Sequence, residues 1–175
     1  MNKIFGIAII AGLCAGISSC KIYSFKDVSI PAEVKSIHLS YIENRAPLVN
    51  PQLAPQLNDA LRQKINNQAS RLSQIQTSDA DYEVSGWVSG YSYSTSGVSN
   101  QQAASTRLTV TVHIVFKNHL DPTGKKVAPA DFESDVSRSF DFSAQTSITE
   151  AEPQLMPTIV SNLTDEIFNK LFSNW

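Results

Sequence analysis

Alternation of apolar and polar residues along four stretches of the chain predicts β-strands. The pattern is clearest from Arg107 to Lys117, where every second residue is large and apolar, and it recurs over residues 36–42, 82–93 and 132–142. Successive side chains of a strand point to opposite faces of a sheet. Each stretch therefore predicts a strand that is buried on one side and solvated on the other.

The same alternation assigns side chains to the two faces of the sheet. In the second strand, Trp87, Tyr91 and Tyr93 fall on the face opposite Val84 and Val88. We therefore predict that the three aromatic residues lie together on a polar surface, as a candidate contact patch for a partner. Mutual covering of the rings at a sheet edge is the alternative. In the first strand, three residues are assigned to the inner face: Ile37, Leu39 and Tyr41.

Apolar residues at helical spacing predict two helices. In the first, Asn50 is a cap residue, Pro51 is the first helical position, and the helix extends to about Arg71. Its stripe consists of Leu53, Leu57, Leu61 and Ile65. The second stripe consists of Val160, Leu163, Ile167 and Leu171. Because proline disrupts a helix interior, this helix either bends at Pro157 or begins near it.

The order of these elements, β-α-β-β-β-α, predicts an α+β fold. Two amphipathic helices and a sheet that is apolar on one side bury their apolar surfaces best as a two-layer sandwich, with both helices on one face of a four-stranded sheet. Residues 94–105 are rich in Ser, Thr, Gln, Asn and Ala and predict a mobile loop between two strands.

The N-terminus has the pattern of a secretory signal. Residues 4–17 follow Lys3 and carry no charge, which is long enough for a signal but too short to span a bilayer. The four residues at its end, Ile-Ser-Ser-Cys at 17–20, resemble a bacterial lipobox. We therefore expect a signal peptide over residues 1–19, a lipidated N-terminal segment over 20–35 that begins with acylated Cys20, and one domain over 36–175. A secreted protein with an accidental cysteine, or an uncleaved helix, is the alternative.

Composition argues against several functional classes. The chain expected after processing has 13 basic and 16 acidic side chains, which gives no basic excess for nucleic acid. Its one cysteine would be Cys20, so neither a disulfide nor thiol catalysis is expected. The histidines, at 38, 113 and 119, are not paired with a nucleophile or grouped with metal ligands. We therefore expect no enzyme activity, no metal and no cofactor.

Basic residues on the last two strands and the loop between them form a second candidate site. They could contact an anionic glycolipid headgroup, although ordinary solvated charges are the alternative. The five residues are Arg107, Lys117, Lys125, Lys126 and Arg138.

Four patches of sequence resemble the Bacteroidetes branch of the LptE family of lipopolysaccharide-assembly lipoproteins. These are Cys-Lys-Ile-Tyr-Ser-Phe at 20–25, Ser-Ile-Pro at 29–31, Asn-Arg-Ala-Pro-Leu-Val-Asn-Pro at 44–51 and Ile-Phe-Asn-Lys-Leu-Phe-Ser-Asn-Trp at 167–175. The resemblance implies an outer-membrane lipoprotein on the periplasmic side. It also implies a one-to-one complex with the LptD β-barrel, which the lipoprotein plugs and helps to assemble, and contact with lipopolysaccharide. Of the family's functional residues, only Cys20 can be matched.

A second functional hypothesis is a pilotin-like or lipid-binding lipoprotein that transiently chaperones another outer-membrane protein. It predicts an open apolar groove between the helices and the sheet. A periplasmic hydrolase would need a clustered histidine or carboxylate pair, for which the sequence gives no indication.

Overall fold

A computed structural model describes residues 30–99 and 102–172 of the chain. The predicted signal peptide lies outside these residues. So do residues 20–29 of the predicted N-terminal segment, which include Cys20. The described elements, in chain order, are β1 (Ser36–Leu39), β2 (Glu43–Asn44), α1 (Leu53–Gln68), β3 (Ser73–Gln74), β4 (Tyr82–Ser99), β5 (Gln102–Asn118), β6 (Phe132–Ser143) and α2 (Ile148–Phe172).

The strands form one mixed sheet in the order β3-β1-β4-β5-β6, and β2 also pairs with β4. The first strands, β1 and β2, run parallel to β4, whereas β4, β5 and β6 form an antiparallel meander. Both helices pack on one face of this sheet, and Lys64 of α1 forms an ion pair with Asp165 of α2. The predicted α+β class and the packing of two helices on a sheet are confirmed, with two very short strands added.

The core lies between the helices and the sheet, and the predicted apolar positions form it. Every inward residue of β5 from Leu108 to Phe116 is fully buried. The helix stripes meet them from the other layer, with Leu57 and Leu61 of α1 and Leu163 and Ile167 of α2 fully buried as well. Burying a side chain of this size contributes about 1.5–3 kcal/mol, so these stripes hold the two layers together.

The first strand ends earlier than its alternation predicts. Pairing with β4 changes from Leu39↔Val84 to Glu43↔Trp87, so the first segment contains one extra residue. As a result Tyr41 is 51% exposed and Ile42 is fully buried. The prediction that Tyr41 faces the core was therefore wrong, because the extra residue reverses the alternation.

The predicted loop over residues 94–105 is also wrong. Strand β4 continues to Ser99, β5 begins at Gln102, and the Ser96 hydroxyl donates to the Ser105 hydroxyl at 2.8 Å. Small hydroxyl residues pair their backbones in this hairpin with little apolar alternation to reveal it, which is why the composition resembled a loop.

Both helices differ from the predicted bounds at their ends. Helix α1 begins at Leu53, two residues after the predicted start, and ends at Gln68. Helix α2 begins at Ile148 and contains both Pro153 and Pro157. A start near Pro157 is therefore excluded, because the core contacts of Ala151 and Met156 extend the buried stripe through the proline-containing turns.

The described core begins before β1. Ile30 and Val34 are 8% and 2% exposed and belong to the main apolar cluster. The backbone N–H groups of Lys35 and Ser36 then donate to the Asp81 carboxylate at 2.7 and 3.0 Å. Burial by itself raises the pKa of Asp81, but these hydrogen bonds together stabilise the charged form more strongly, so the pKa lies below its ordinary value.

Candidate functional site

The face of the sheet opposite the helices, here called the open face, carries the outward-facing polar side chains of β4, β5 and β6. Cross-strand pairs of small hydroxyl residues run along it between β5 and β6. Thr109 lies 2.9 Å from Ser139, and Thr111 lies 3.0 Å from Ser137, oxygen to oxygen. These hydrogen bonds fix the side chains on a flat surface, as expected for directly opposed residues of an antiparallel pair.

A stack of three planar side chains crosses the open face. The rings of Trp87 and His113, which are directly opposed on β4 and β5, have centroids 4.4 Å apart and are tilted by 30°. The Arg45 guanidinium lies 5.0 Å from the centre of the Trp87 ring. Arg45 in turn donates through Nε and Nη2 to Glu43 at 3.2 and 3.0 Å. We call Arg45, Trp87 and His113 the aromatic row.

Two carboxylates end the aromatic row on the β6 side. His113 Nδ1 lies 2.8 Å from Asp135, and its Nε2 lies 3.6 Å from Glu133. Both carboxylate side chains remain well exposed, at 64% and 68%. The row therefore presents, from β2 to β6, a carboxylate, a guanidinium, an indole, an imidazole and two further carboxylates.

Tyr91 and Tyr93 lie on the helix side of the sheet, which contradicts their predicted place beside Trp87. A β-bulge between Val88 and Gly90 inserts one residue into β4 and reverses the alternation beyond it. Tyr91 is 3% exposed. The predicted patch of three aromatic residues on one face is therefore not formed.

The two tyrosines instead bind one residue of α2. The Tyr91 hydroxyl donates to Glu152 Oε1 at 2.8 Å, and the Tyr93 hydroxyl donates to the same oxygen. Burial raises the pKa of Tyr91 to about 12, and the adjacent Glu152 adds to this effect. The same causes raise the pKa of Tyr93 above its ordinary value. This arrangement ties the start of α2 to the middle of β4.

The five basic residues of the predicted glycolipid site do not form one cluster. Arg107 forms a two-point ion pair with Asp141 on the open face. Lys117 is ten residues further along β5, roughly 34 Å away for an extended strand. Arg138 lies on the helix side, opposed to inward-facing Val110, and forms an ion pair with Glu166. The five residues therefore do not all lie on one surface, because Arg138 belongs to the inward phase of β6.

The other two basic residues, Lys125 and Lys126, are exposed on the loop between β5 and β6. Asp121 fixes this loop by accepting hydrogen bonds from the Thr123 hydroxyl and from the backbone N–H groups of Lys126 and Val127. These hydrogen bonds, that of the Thr123 hydroxyl first, lower the pKa of Asp121 well below its ordinary range. The two lysines are thus presented at the β5–β6 loop end of the sheet, the same end as Lys117.

A groove of about 340 Å³ lies on the outer surface between the two helices. Its lining combines polar side chains, including those of Gln63, Lys64 and Asp165, with apolar Ala60 and Val160. It lies between the helices, whereas the lipid-binding chaperone hypothesis predicts an apolar groove between the helices and the sheet. Within the described part of the chain, no helix is long and apolar enough to cross a membrane, and no three metal-ligating side chains are grouped to hold an ion.

Sequence reasoning missed most of the aromatic row. Trp87 was predicted as a contact residue, but no contact was predicted for Arg45, for His113 or for the flanking carboxylates Glu133 and Asp135. Their meeting depends on the register between strands, which the lengths of the connecting segments determine. The alternation places Trp87 and His113 on the same face of the sheet. It does not show that the two residues lie directly opposite one another on neighbouring strands.

Several solved structures are similar to this chain at low sequence identity. The solution structure of the uncharacterized lipoprotein B from Nitrosomonas europaea has a TM-score of 0.52 at 12% identity, covering 85% of this chain and 88% of that one. A minor lipoprotein from Acinetobacter baumannii has a TM-score of 0.49 at 13% identity, covering 78% and 91%. The rare lipoprotein B from Shewanella oneidensis has 0.49 at 12%, covering 78% and 92%. At 12% identity, the first shows a common fold alone.

Among curated proteins there is no sequence match. A sequence model of the LptE family, described as lipopolysaccharide assembly, matches residues 34–171. The match begins at buried Val34 and ends at buried Leu171, so it spans both helices and all six strands. This chain therefore belongs to the LptE lipopolysaccharide-assembly family.

Proposed function

We propose that the protein is a non-catalytic, lipid-anchored outer-membrane subunit that plugs an LptD-type β-barrel. In this role it forms a one-to-one complex with the barrel, assists its assembly and supports the passage of lipopolysaccharide to the cell surface. The observation that carries the proposal is the family match over residues 34–171, which covers nearly the whole described domain. The alternative is a pilotin-like or lipid-binding chaperone of another outer-membrane protein.

The open face supports a plug because its chemistry suits a wet barrel lumen. The walls of large outer-membrane barrels are polar on the inside. The open face offers fixed hydroxyl groups, such as those of Thr109 and Thr111, and a row of charged and aromatic side chains. Hydrogen-bonded, water-containing contacts with a polar wall are therefore possible without burying unpaired groups.

Anchoring through Cys20 is part of the proposal. Two or more acyl chains are needed for stable membrane attachment, because each buried CH₂ contributes only about 0.8 kcal/mol. A lipidated cysteine of the kind that the lipobox resembles would carry three chains. The four residues after Cys20, Lys-Ile-Tyr-Ser, lack the acidic run that Bacteroidetes surface lipoproteins usually carry, which favours retention on the periplasmic side.

Lipopolysaccharide contact is proposed more narrowly than the sequence predicted. Arg107 and Arg138 already form ion pairs with Asp141 and Glu166. The exposed lysines at one end of the sheet are better placed to meet an anionic headgroup: Lys117, Lys125 and Lys126. Their charges are not neutralised by an ion pair with any residue of the described ranges.

Affinity capture of the full-length protein from detergent-solubilised membranes of its own host tests the proposal. A large β-barrel recovered in one-to-one amount, identified by mass spectrometry and retained in high salt, is the expected result. Recovery of the protein alone would contradict the plug. Recovery with several partners in trace amounts would favour the chaperone alternative.

A further inference from the structure

The open face is a surface that the domain itself leaves uncovered. Both helices pack on the opposite side of the sheet, where the core lies. On the open face, the side chains at the two ends of the aromatic row remain more than half exposed: Glu43, Arg45, Glu133 and Asp135. Side chains of this kind are available to a second molecule.

The aromatic row is also fixed in place before any partner binds. Trp87 is held between the guanidinium of Arg45 and the imidazole of His113. Each of the two flanking groups is held in turn by a carboxylate, Glu43 for Arg45 and Asp135 for His113. Little side-chain freedom remains to be lost on association, which removes part of the entropic cost of binding. Tryptophan and arginine are also the residues that most often dominate the binding energy of interfaces.

The charges along the row are unbalanced at one end. Glu43 is paired with Arg45, so the β2 end is close to neutral. At the β6 end, Glu133 and Asp135 face one imidazole, and Lys117 of β5 lines the same shallow pocket as Glu133 without forming an ion pair with it. A cation on the partner would compensate these two carboxylates, which are costly to desolvate without a pairing charge.

We propose that the aromatic row is the anchor by which the open face docks on the inner wall of the partner barrel, where arginine or lysine side chains meet Glu133 and Asp135. This inference rests on the proposed function and names the surface that performs it. A barrel wall is itself a sheet whose inward side chains are polar. Two such surfaces can lie flat against one another, with the Trp87 indole as the central large side chain.

Lipopolysaccharide is the less suitable occupant of the same surface. Its phosphorylated headgroup is anionic, and the carboxylates of Glu133 and Asp135 would repel it. The carboxylate-rich row and the lysines of the β5–β6 loop therefore favour ligands of opposite charge. This difference in charge preference makes the two possible occupants distinguishable by experiment.

Charge reversal provides the first test. In the host, the tagged full-length E133K/D135K protein is compared with wild type for the amount of barrel captured at moderate salt. The control is D59K/D79K, which reverses two exposed carboxylates away from the open face. We expect the open-face variant to lose about tenfold of the captured barrel, as is typical for disrupted charge pairs at an interface. The control should stay within about twofold of wild type.

Site-specific photocrosslinking provides a second test that does not depend on charge. A photoreactive phenylalanine analogue replaces Ser137, on the open face, or Ser161, on the outer surface of α2. Both side chains are exposed. We expect the barrel to crosslink predominantly at position 137.

The outcomes separate this inference from the proposed function. If wild type captures no barrel, both fail. If wild type captures the barrel but crosslinks it equally or better from position 161, or crosslinks lipopolysaccharide from position 137, only the docking surface is overturned. Equal barrel capture by E133K/D135K and wild type would also overturn it.

Discussion

At the scale of single residues, Glu152 determines how the first turns of α2 meet the sheet. Its carboxylate accepts hydrogen bonds from both Tyr91 and Tyr93. Both tyrosines were expected on the other face, and no residue count in the sequence reveals the extra residue that moves them. Once the bulge is known, a carboxylate four residues after Ile148 is a natural partner for two buried hydroxyl groups.

Tyr91 makes the folded protein less stable at alkaline pH. In the folded state, burial raises the pKa of Tyr91 to about 12, against 10 for an ordinary tyrosine. Below pH 10 the hydroxyl is neutral in both states. From pH 10 to 12 only the unfolded chain loses the proton, so the free energy of unfolding falls as pH rises.

Replacing Tyr91 by phenylalanine should make this fall shallower. Urea unfolding between pH 9 and 12 measures the slope, to which Tyr93 also contributes, since the Tyr91 hydroxyl is one of the groups that raise its pKa. Y41F, at a side chain that is 51% exposed, should leave the slope unchanged. A Y91F slope equal to that of wild type would contradict the assignment.

Asn58 completes the hydrogen bonding of the irregular segment before β2. It is 1% exposed, and its side chain accepts from the Ile42 N–H at 2.9 Å and donates to the Ile42 carbonyl at 3.0 Å. In N58A both backbone groups would be left without these partners. We expect a loss of at least about 2 kcal/mol in the free energy of unfolding, measured in urea. Asn67, exposed on the same helix, provides the control: N67A should change stability by less than about 0.5 kcal/mol.

At the scale of elements, strand β4 shows where the alternation of apolar and polar residues predicts side-chain orientation correctly and where it does not. Val84 and Val88 face the core as predicted. Beyond Ser89, every assignment from alternation alone is reversed, since a bulge shifts a two-residue repeat by one. Gly90 follows the bulge, but glycine in a strand is compatible with several distortions, and only its pairing with Thr111 identifies this one.

Gly86 marks a close approach of two backbones in the same strand. A Cβ at this position would lie 2.3 Å from the backbone oxygen of His113. G86A should therefore force β4 and β5 apart and cost about 2–3 kcal/mol. At Gly90 the nearest atom to such a Cβ is 3.2 Å away, so G90A should cost clearly less. Chemical unfolding of the two variants, each against wild type, compares the costs; equal costs would argue against the close approach.

Pro157 lies inside α2 and lowers the stability of that helix. A proline inside a helix removes one backbone hydrogen bond and disfavours the preceding turn. Because Pro157 is exposed and distant from the helix start at Ile148, P157A should raise the free energy of unfolding by about 1–2 kcal/mol. Thermal unfolding measures the gain. P153A, nearer the start, should gain less, and a destabilised P157A would show that the proline shapes the helix to fit the core.

At the scale of the whole molecule, the sequence predicted the two-layer α+β arrangement because long amphipathic stretches leave few ways to bury their apolar sides. The β5 alternation and the α2 stripe illustrate this. The candidate interaction surface was less accessible to prediction. Arg45 belongs to an irregular segment, and its position over Trp87 depends on the pairing of a two-residue strand with β4.

The residue at which the folded domain begins can also be tested. A variant beginning at residue 36, the predicted start of the domain, lacks buried Ile30 and Val34. Compared with a variant beginning at residue 30, it should lose at least about 3 kcal/mol of stability. Urea unfolding of both would decide, since equal midpoints would show that residues 30–35 contribute nothing to the fold.

The topology of the sheet also implies an order of folding. Strands β4, β5 and β6 follow one another as hairpins, whereas β1 reaches β4 only after a helix has intervened, as in the hydrogen bond between Ser36 and Asp81, 45 residues apart. Local pairings close smaller loops and form faster. We therefore expect the meander to nucleate folding and the parallel N-terminal strand to dock last. Until it does, β4 presents an unpaired edge, and during that interval the risk of strand-to-strand aggregation is greatest.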